Sequence, residues 1–251
     1  MVEADGASGA SQGSGSLRPT FIKNGPGGWL ETHFKGAFSP PEFELSGKIE
    51  TLADRSDSLG PKPLWAGYEN LQDYPTATKN AQRRANAVRT KQTLGRTFTW
   101  LAKERMPNGI VEFGTAFGVS GMFWLAGLEM AQTGKFYTFE PNEIWAEIAK
   151  SNLEQISDRF LLTLGTFEEN AAKVLSPATI DIAFVDAIHT GEFVYAQYEI
   201  LKTYLQPHAL VVFDDISFSK DMHDCWLDIA GRQEVLASLA LNTRVGIIEL
   251  K

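Results

Sequence analysis

Cysteine, histidine and long apolar runs are scarce in this sequence. The single cysteine, Cys225, excludes an internal disulfide and fits a reducing compartment, so we expect a cytoplasmic protein. The 4 histidines are scattered, and no zinc-binding cluster is visible. No apolar run approaches the ~20 residues of a membrane span. A basic start followed by an apolar block is missing at the N-terminus, so we read no signal peptide and expect no membrane partner.

Basic charge is also in short supply. The 251 residues include 23 Lys and Arg against 31 Asp and Glu, which gives a net charge of -8. Nucleic-acid binding needs concentrated basic side chains, so we expect no nucleic-acid partner. The one basic cluster, around Arg83, Arg84, Arg89 and Lys91, has helical spacing and indicates a solvated helix face.

Three segments differ in composition. Residues 1–17 are rich in Gly, Ser and Ala and predict a disordered tail. Residues 18–90 are rich in Pro, Gly and aromatic residues with weak periodicity, and we predict an irregular or helical N-terminal cap. Residues 91–251 carry the regular patterns and predict the main domain.

Strand and helix patterns alternate in the main domain. The two apolar runs EVLASLAL and TRVGIIEL, separated by one Asn, leave no room for a crossover helix and must pair as an antiparallel hairpin. We therefore predict an α/β fold, with a Rossmann-like, doubly wound sheet of seven strands, five of them parallel. The parallel strands are predicted at 109–114, 135–140, 159–164, 180–186 and 209–215.

The first predicted strand runs into the loop VEFGTAFGVS (111–120). In open α/β sheets, ligands bind at the carboxyl ends of the strands, and Gly114 and Gly118 would let the backbone approach one closely. The spacing departs from the dinucleotide fingerprint and lacks the P-loop lysine. Glu112 would repel a pyrophosphate but could pair with a cationic amine. A plain tight turn is the alternative.

Polar residues also follow the next two strands. Glu140, at the tip of the second, could accept hydrogen bonds from ribose hydroxyls, or it could cap the following helix. After the third strand, Thr166 and Phe167 lie where an adenine would be met. Phe167 could instead be an ordinary core residue.

The pattern Glu-x-Gly-x-x-x-Gly-x-Ser (112–120), with Glu140 and Asp186 at later strand ends, resembles class I S-adenosylmethionine-dependent methyltransferases. The resemblance covers about residues 90–251. The stretches FVDAIH and VVFDDI are similar to catechol-type O-methyltransferases. The resemblance implies S-adenosylmethionine as cofactor, with these residues around it: Glu112, Gly114, Thr115, Gly118, Ser120, Glu140, Thr166, Phe167 and Asp186.

Three carboxylates end the fourth and fifth strands, which are neighbours in that fold. Asp186, Asp214 and Asp215 could converge on Mg²⁺ or a similar cation, which prefers oxygen ligands. The family pattern has Asn at the position of Asp215. The alternative is that Asp214 or Asp215 caps the next helix.

His189 lies where the catechol-type pattern has lysine. Methyl transfer to oxygen needs alignment and removal of one proton, and an imidazole with a pKa near ~6.5 suits that task. We therefore predict His189 as general base with Asp186 beside it. A solvent-facing histidine at a helix start is the alternative.

The acceptor is predicted to be a small-molecule hydroxyl compound. Trp65, Tyr68 and Tyr74 could wall its pocket or seal the cap, and Phe218 and Met222 could border it. The aromatic leader could also mediate a homodimer. Two other functions stay open: a nicotinamide-dependent oxidoreductase on a Rossmann sheet, and a non-catalytic protein that retains the fold.

Overall fold

A computed structural model describes residues 15–65, 67–70 and 81–251 of the chain. Tyr74, one of the predicted acceptor residues, lies outside this part. The described strands and helices alternate along most of it. The strands are β1 (Pro19–Lys23), β2 (Lys62–Pro63), β3 (Gln82–Arg83), β4 (Gly109–Phe113), β5 (Lys135–Glu140), β6 (Phe160–Leu164), β7 (Ile180–Val185), β8 (Leu205–Phe213), β9 (Val235–Leu241) and β10 (Val245–Leu250).

The central sheet has the order β1-β9-β10-β8-β7-β4-β5-β6. The five strands from β8 to β6 are parallel, whereas β10 runs antiparallel to both β8 and β9. The predicted Rossmann-like sheet with its C-terminal hairpin is confirmed. The sheet reverses its strand order beside β4, and ligands bind at such a switch point.

The predicted number of seven strands is wrong, because the sheet has 8 strands among the residues that the structure describes. The extra strand, β1, lies in the segment predicted as a cap and pairs antiparallel with β9 at the edge of the sheet. It has five residues, begins with Pro19, and has no fully buried position. A short edge strand of this kind carries no apolar alternation that a sequence pattern could reveal.

The helices pack on both faces of this sheet. Helix α5 is buried from Val119 to Leu128 without interruption, as expected for a helix that is apolar all round. The helices are α1 (Trp29–His33), α2 (Ser46–Ser58), α3 (Ala85–Val88), α4 (Gln92–Arg105), α5 (Val119–Ala131), α6 (Glu143–Leu153), α7 (Phe167–Val174), α8 (Gly191–Leu201) and α9 (Lys220–Gly231).

The N-terminal segment is attached to the main domain by core packing and by a buried carboxylate. Leu17 is buried in the main core and forms a bridge with Phe38, so its assignment to a disordered tail is wrong. Glu249 on β10 accepts hydrogen bonds from the amides of Trp29, at 2.9 Å, and Leu30, at 3.0 Å. The carboxylate thereby satisfies donors at the start of α1.

Within the described ranges, no helix is both long enough and apolar enough to span a bilayer.

Candidate active site

The loop between β4 and α5 lies between the ends of β5 and β7. The amides of Gly114 and Thr115 both donate to the Phe139 carbonyl oxygen, at 3.2 Å. Gly114 has a φ of +88°, and a side chain there would come within 2.4 Å of the Asp186 carbonyl oxygen. The requirement for glycine at position 114 therefore comes from the contact with the β7 end, and the loop holds two strand ends together.

We expect Gly114→Ala to lower the free energy of unfolding by about 2–5 kcal/mol, from left-handed strain plus the backbone clash. Urea denaturation measures this directly. Gly36→Ala is the control, because nothing lies within 4 Å of the position its side chain would take. Equal effects of the two substitutions would contradict this account of the loop.

Glu112 is fully buried on β4. Its Oε2 accepts a hydrogen bond from the Thr138 hydroxyl at 2.8 Å, and that hydroxyl lies 2.5 Å from the Thr115 hydroxyl. Its Oε1 has no hydrogen-bond partner among the described residues. Burial raises the pKa of Glu112 to about 7, although the hydroxyls of Ser120 and Thr138 lower it. An unsatisfied carboxylate oxygen beside the glycine loop is suited to a cationic amine.

The predicted set did not include Thr138. The strand register could have predicted it, because β4 and β5 are parallel and Glu112 pairs with Thr138. A threonine facing the same side as a buried glutamate on the adjacent strand is a natural partner for it.

Glu140 binds two backbone amides instead of capping a helix. Its Oε2 accepts from the Ala116 amide at 2.7 Å, and its Oε1 accepts from the Asn142 amide at 2.8 Å. Helix α6 is capped by Asn142, whose side chain accepts from Ile144 and Trp145. Burial raises the pKa of Glu140 to about 7, against the lowering effect of the two amides. Contact of Glu140 with a ribose stays a prediction.

Thr166 and Phe167 have structural contacts of their own. Thr166 caps α7, accepting a hydrogen bond from the Glu169 amide at 3.4 Å. The ring of Phe167 is 1% exposed and stacks on Phe113 at 3.9 Å between centroids. The packing of Phe167 favours the alternative of an ordinary core residue, and the contacts of Thr166 and Phe167 with an adenine stay predictions.

A narrow cleft lies above the glycine loop. It contains about 240 Å³ of space not filled by atoms, part of it open to solvent. Val88, Arg89 and Thr90 of the N-terminal segment line it, together with Asp186 and six residues of the loop and the start of α5: Gly114, Thr115, Ala116, Phe117, Val119 and Ser120. The N-terminal segment therefore contributes directly to the wall of this site.

The aromatic residues predicted around the acceptor are divided between core and surface. Trp65 contacts Tyr68 edge to face at 4.9 Å, and Tyr68 is buried. Met222 is buried in the core. Phe218 is 44% exposed, and its ring lies 5.6 Å from that of His189. Phe218 therefore has a ring contact with the predicted base.

The structure brings His189 together with the acidic strand ends. His189 Nε2 lies 3.7 Å from Asp186 Oδ1 and 3.8 Å from Asp215 Oδ2. The His189 side chain is only 15% exposed, so the alternative of a solvent-facing histidine is wrong. The sequence-predicted convergence of these side chains at one edge of the sheet is confirmed.

Arg244, which was not predicted as a site residue, also reaches this cluster. Its Nε lies 3.0 Å from Asp214 Oδ1, and its Nη2 lies 2.8 Å from Asp214 Oδ2. The same Nε is 3.1 Å from Asp215 Oδ1. Neither aspartate caps α9, because Ser219 does so by accepting from the Met222 amide at 3.0 Å.

Burial shifts the pKa of Asp186 and the pKa of His189 in opposite directions. Burial and the neighbouring carboxylates of Asp214, Glu112 and Asp215 hold the pKa of Asp186 well above its usual range. Burial lowers the pKa of His189, against the raising effect of the aspartates. The imidazole is therefore neutral at pH 7 and has a lone pair available to accept a proton.

The predicted magnesium set of Asp186, Asp214 and Asp215 does not fit a metal ion in this arrangement. Both oxygens of Asp214 are bound by Arg244, which also binds Oδ1 of Asp215. Mg²⁺ needs such oxygens directly, at ~2.1 Å. No group of three or more acidic, histidine or cysteine side chains in the described part of the chain is arranged to hold a metal.

Comparison with known proteins agrees with this geometry. Residues 111–216 match the family model of a methyltransferase domain. An O-methyltransferase from Bacillus cereus in complex with S-adenosylhomocysteine is 18% identical, with a TM-score of 0.57 over 84% of this chain and 92% of that one. TomG, an O-methyltransferase of tomaymycin synthesis from Streptomyces achromogenes solved with S-adenosylmethionine, is 19% identical, with a TM-score of 0.55 over 83% and 100%. No curated protein matches.

A third similar structure, a methyltransferase from Podospora anserina bound to S-adenosylhomocysteine, is 16% identical, with a TM-score of 0.56 over 86% of this chain and 99% of that one. At these identities the structures establish a shared fold. The sequence match adds the domain type. Together they show that residues 111–216 match a methyltransferase domain model, on a fold shared with O-methyltransferases solved with S-adenosylmethionine or S-adenosylhomocysteine.

Proposed function

We propose that this enzyme transfers a methyl group from S-adenosylmethionine to the hydroxyl of a small molecule, with His189 as general base. The observation that carries the proposal is the position of a neutral, largely buried imidazole between Asp186 and Asp215, at the same sheet edge as the glycine loop. The O-methyltransferases that share the fold support the acceptor class.

The residues around the glycine loop fit the methionine end of the cofactor. The cofactor supplies an activated methyl group on a positively charged sulfur, next to an ammonium group. Glu112 has a free acceptor oxygen in the buried site, and Asp186 lines the cleft above the loop. We assign Glu112 to the ammonium group and Asp186 to the positive charge of the methionine end. Gly114, Thr115 and Ser120 line the cleft, and we assign them, with Gly118 of the same loop, to this end of the cofactor.

The acceptor hydroxyl is placed beside His189. Its oxygen forms the new bond to the methyl carbon while the carbon–sulfur bond breaks and its electron pair stays on sulfur. His189 Nε2 takes the hydroxyl proton, and Asp186 and Asp215, each within 4 Å, stabilise the imidazolium that forms. Phe218 is placed to border the acceptor from the solvent side.

Cofactor affinity should depend on pH through Glu112. Its pKa is about 7 in the free protein, and only the ionised carboxylate pairs with an ammonium group. The dissociation constant for S-adenosylhomocysteine should therefore rise about tenfold for each pH unit below 7. Calorimetric titrations between pH 5.5 and 8 would measure this. A dissociation constant independent of pH over that range would exclude Glu112 as the ammonium ligand.

The direct test of the reaction is incubation with methyl-labelled S-adenosylmethionine and a panel of phenols, sugars and metabolite extracts. We expect label in a product stable to mild base, as an ether is. A non-catalytic protein would bind the cofactor and transfer no label to any acceptor.

A further inference from the structure

We propose that Arg244 is a built-in cation that takes the place of a divalent metal at the acidic strand ends, so that methyl transfer by this chain needs no metal ion. The catalytic consequence rests on the proposed function. The structural part concerns only which cation lies among the carboxylates of Asp186, Asp214 and Asp215.

The geometry of Arg244 matches the need of these strand ends. Asp214 is 4% exposed, and Asp186 and Asp215 lie near it at the ends of β7 and β8. Buried carboxylates this close repel one another unless a cation lies among them. The guanidinium fork binds both oxygens of Asp214 and one of Asp215, which is the bidentate arrangement in which arginine binds carboxylates most strongly.

The backbone holds Arg244 in this place. It follows the β9–β10 turn, where Asn242 and Thr243 have φ of 48° and 61°. Its amide donates to the Leu241 carbonyl at 3.1 Å, and its carbonyl accepts from the Ile216 amide at 2.9 Å. The first hydrogen bond closes the hairpin turn and the second joins the turn to the loop after β8, so the backbone of Arg244 is held in place.

Asp215 connects this cation to the predicted base. It has a φ of 48°, in the left-handed region that Asp and Asn tolerate better than most residues. One of its oxygens lies on Arg244 and the other lies 3.8 Å from His189 Nε2. Arg244 therefore acts as a positioning residue, which fixes the carboxylate that faces the imidazole.

This arrangement limits the acceptor. A metal bound to the acceptor oxygen would lower the pKa of the hydroxyl, whereas a guanidinium already bound to three carboxylate oxygens does not. Proton removal then depends on His189 alone. His189 would deprotonate a phenol-like hydroxyl, with a pKa near ~10, far more readily than an aliphatic alcohol. Because no metal has to be chelated, the acceptor does not need a second neighbouring hydroxyl.

The test compares Mn²⁺ binding by the full-length wild type, Arg244→Met and Arg232→Met, followed by calorimetry and by the thermal unfolding midpoint. Arg232 pairs with Glu199 and Asp228 on the helical surface, so its variant makes the same charge change elsewhere. We expect Arg244→Met to bind Mn²⁺ roughly tenfold or more tighter than the other two, because its aspartates have lost their competing cation. Its midpoint should fall without Mn²⁺ and recover with it.

Two results would overturn the proposal: tight Mn²⁺ binding by the wild type, or no gain by Arg244→Met. If Arg244→Met does not fold, the wild-type titration and Arg244→Lys still decide, since Lys keeps the charge and should bind no more Mn²⁺ than the wild type. S-adenosylhomocysteine binding is measured in parallel. If the wild type does not bind S-adenosylhomocysteine, the proposed function is refuted, but the Mn²⁺ titrations still test the role of Arg244.

Discussion

Replacing His189 by alanine should lower kcat by about 10²- to 10⁴-fold, the usual contribution of a general base, and leave the affinity for S-adenosylhomocysteine unchanged. Burial lowers the pKa of His189, so in the proposed reaction the neutral imidazole would accept the proton that the acceptor hydroxyl loses. Steady-state kinetics with the acceptor found in the panel, together with calorimetry, would measure both quantities.

His223→Ala is the matched control, because His223 lies on the exposed face of α9 and should leave kcat unchanged. The pH profile adds a second reading. Wild-type kcat should fall at acid pH as the imidazole takes up a proton. The residual activity of His189→Ala should not show this decrease. A full-rate His189→Ala enzyme would show that another group removes the proton.

Replacing Glu112 by glutamine should nearly abolish cofactor binding and at the same time stabilise the protein above pH 7. The ammonium group would lose its charged partner, and a charge-assisted hydrogen bond contributes about 1.5–3 kcal/mol even before burial strengthens it. We expect the dissociation constant for S-adenosylhomocysteine to rise about 100-fold or more. Calorimetry at pH 8 would measure the change.

The stability effect has the opposite sign. The folded state raises the pKa of Glu112 from 4.5 to about 7, so the folded protein holds this proton more tightly than the unfolded chain. Stability from this group is therefore lost as pH rises from 4.5 through 7, and the full penalty is present above 7. Glu112→Gln removes up to about 3 kcal/mol of it at pH 8.

Urea denaturation at pH 4.5 and pH 8 would test this pair of effects. The gain should appear at pH 8 and vanish at pH 4.5. Glu147→Gln, on an exposed face of α6, should change neither stability nor binding. A Glu112→Gln protein that is less stable at pH 8 would mean that the amide satisfies its surroundings worse than the buried charge does.

The sequence predicted the main domain well because its signals are local or periodic. The five parallel strands and the C-terminal hairpin follow from apolar runs and from a linker too short for a crossover. The Gly114 turn and the gathering of Asp186, Asp214 and Asp215 follow from the rule that parallel strands end at one edge of a sheet.

The sequence was less informative where a contact depends on a partner far away in the chain. Phe167 follows a strand end just as an adenine contact would, but its ring fills space beside Phe113, which only the packed structure reveals. Arg244 lies 30 residues beyond Asp214. It could have been found from the predicted hairpin, because β10 pairs with β8 and the turn before β10 must then lie beside the end of β8.

We propose that the edge of the sheet around Glu112 binds S-adenosylmethionine. The most direct measurement is a calorimetric titration of the full-length protein at pH 8 with S-adenosylmethionine and with S-adenosylhomocysteine. We predict saturable binding of one equivalent of each, reduced about 100-fold or more in Glu112→Gln and unchanged in Glu147→Gln. Absence of binding by the wild type, or equal binding by Glu112→Gln, would contradict it.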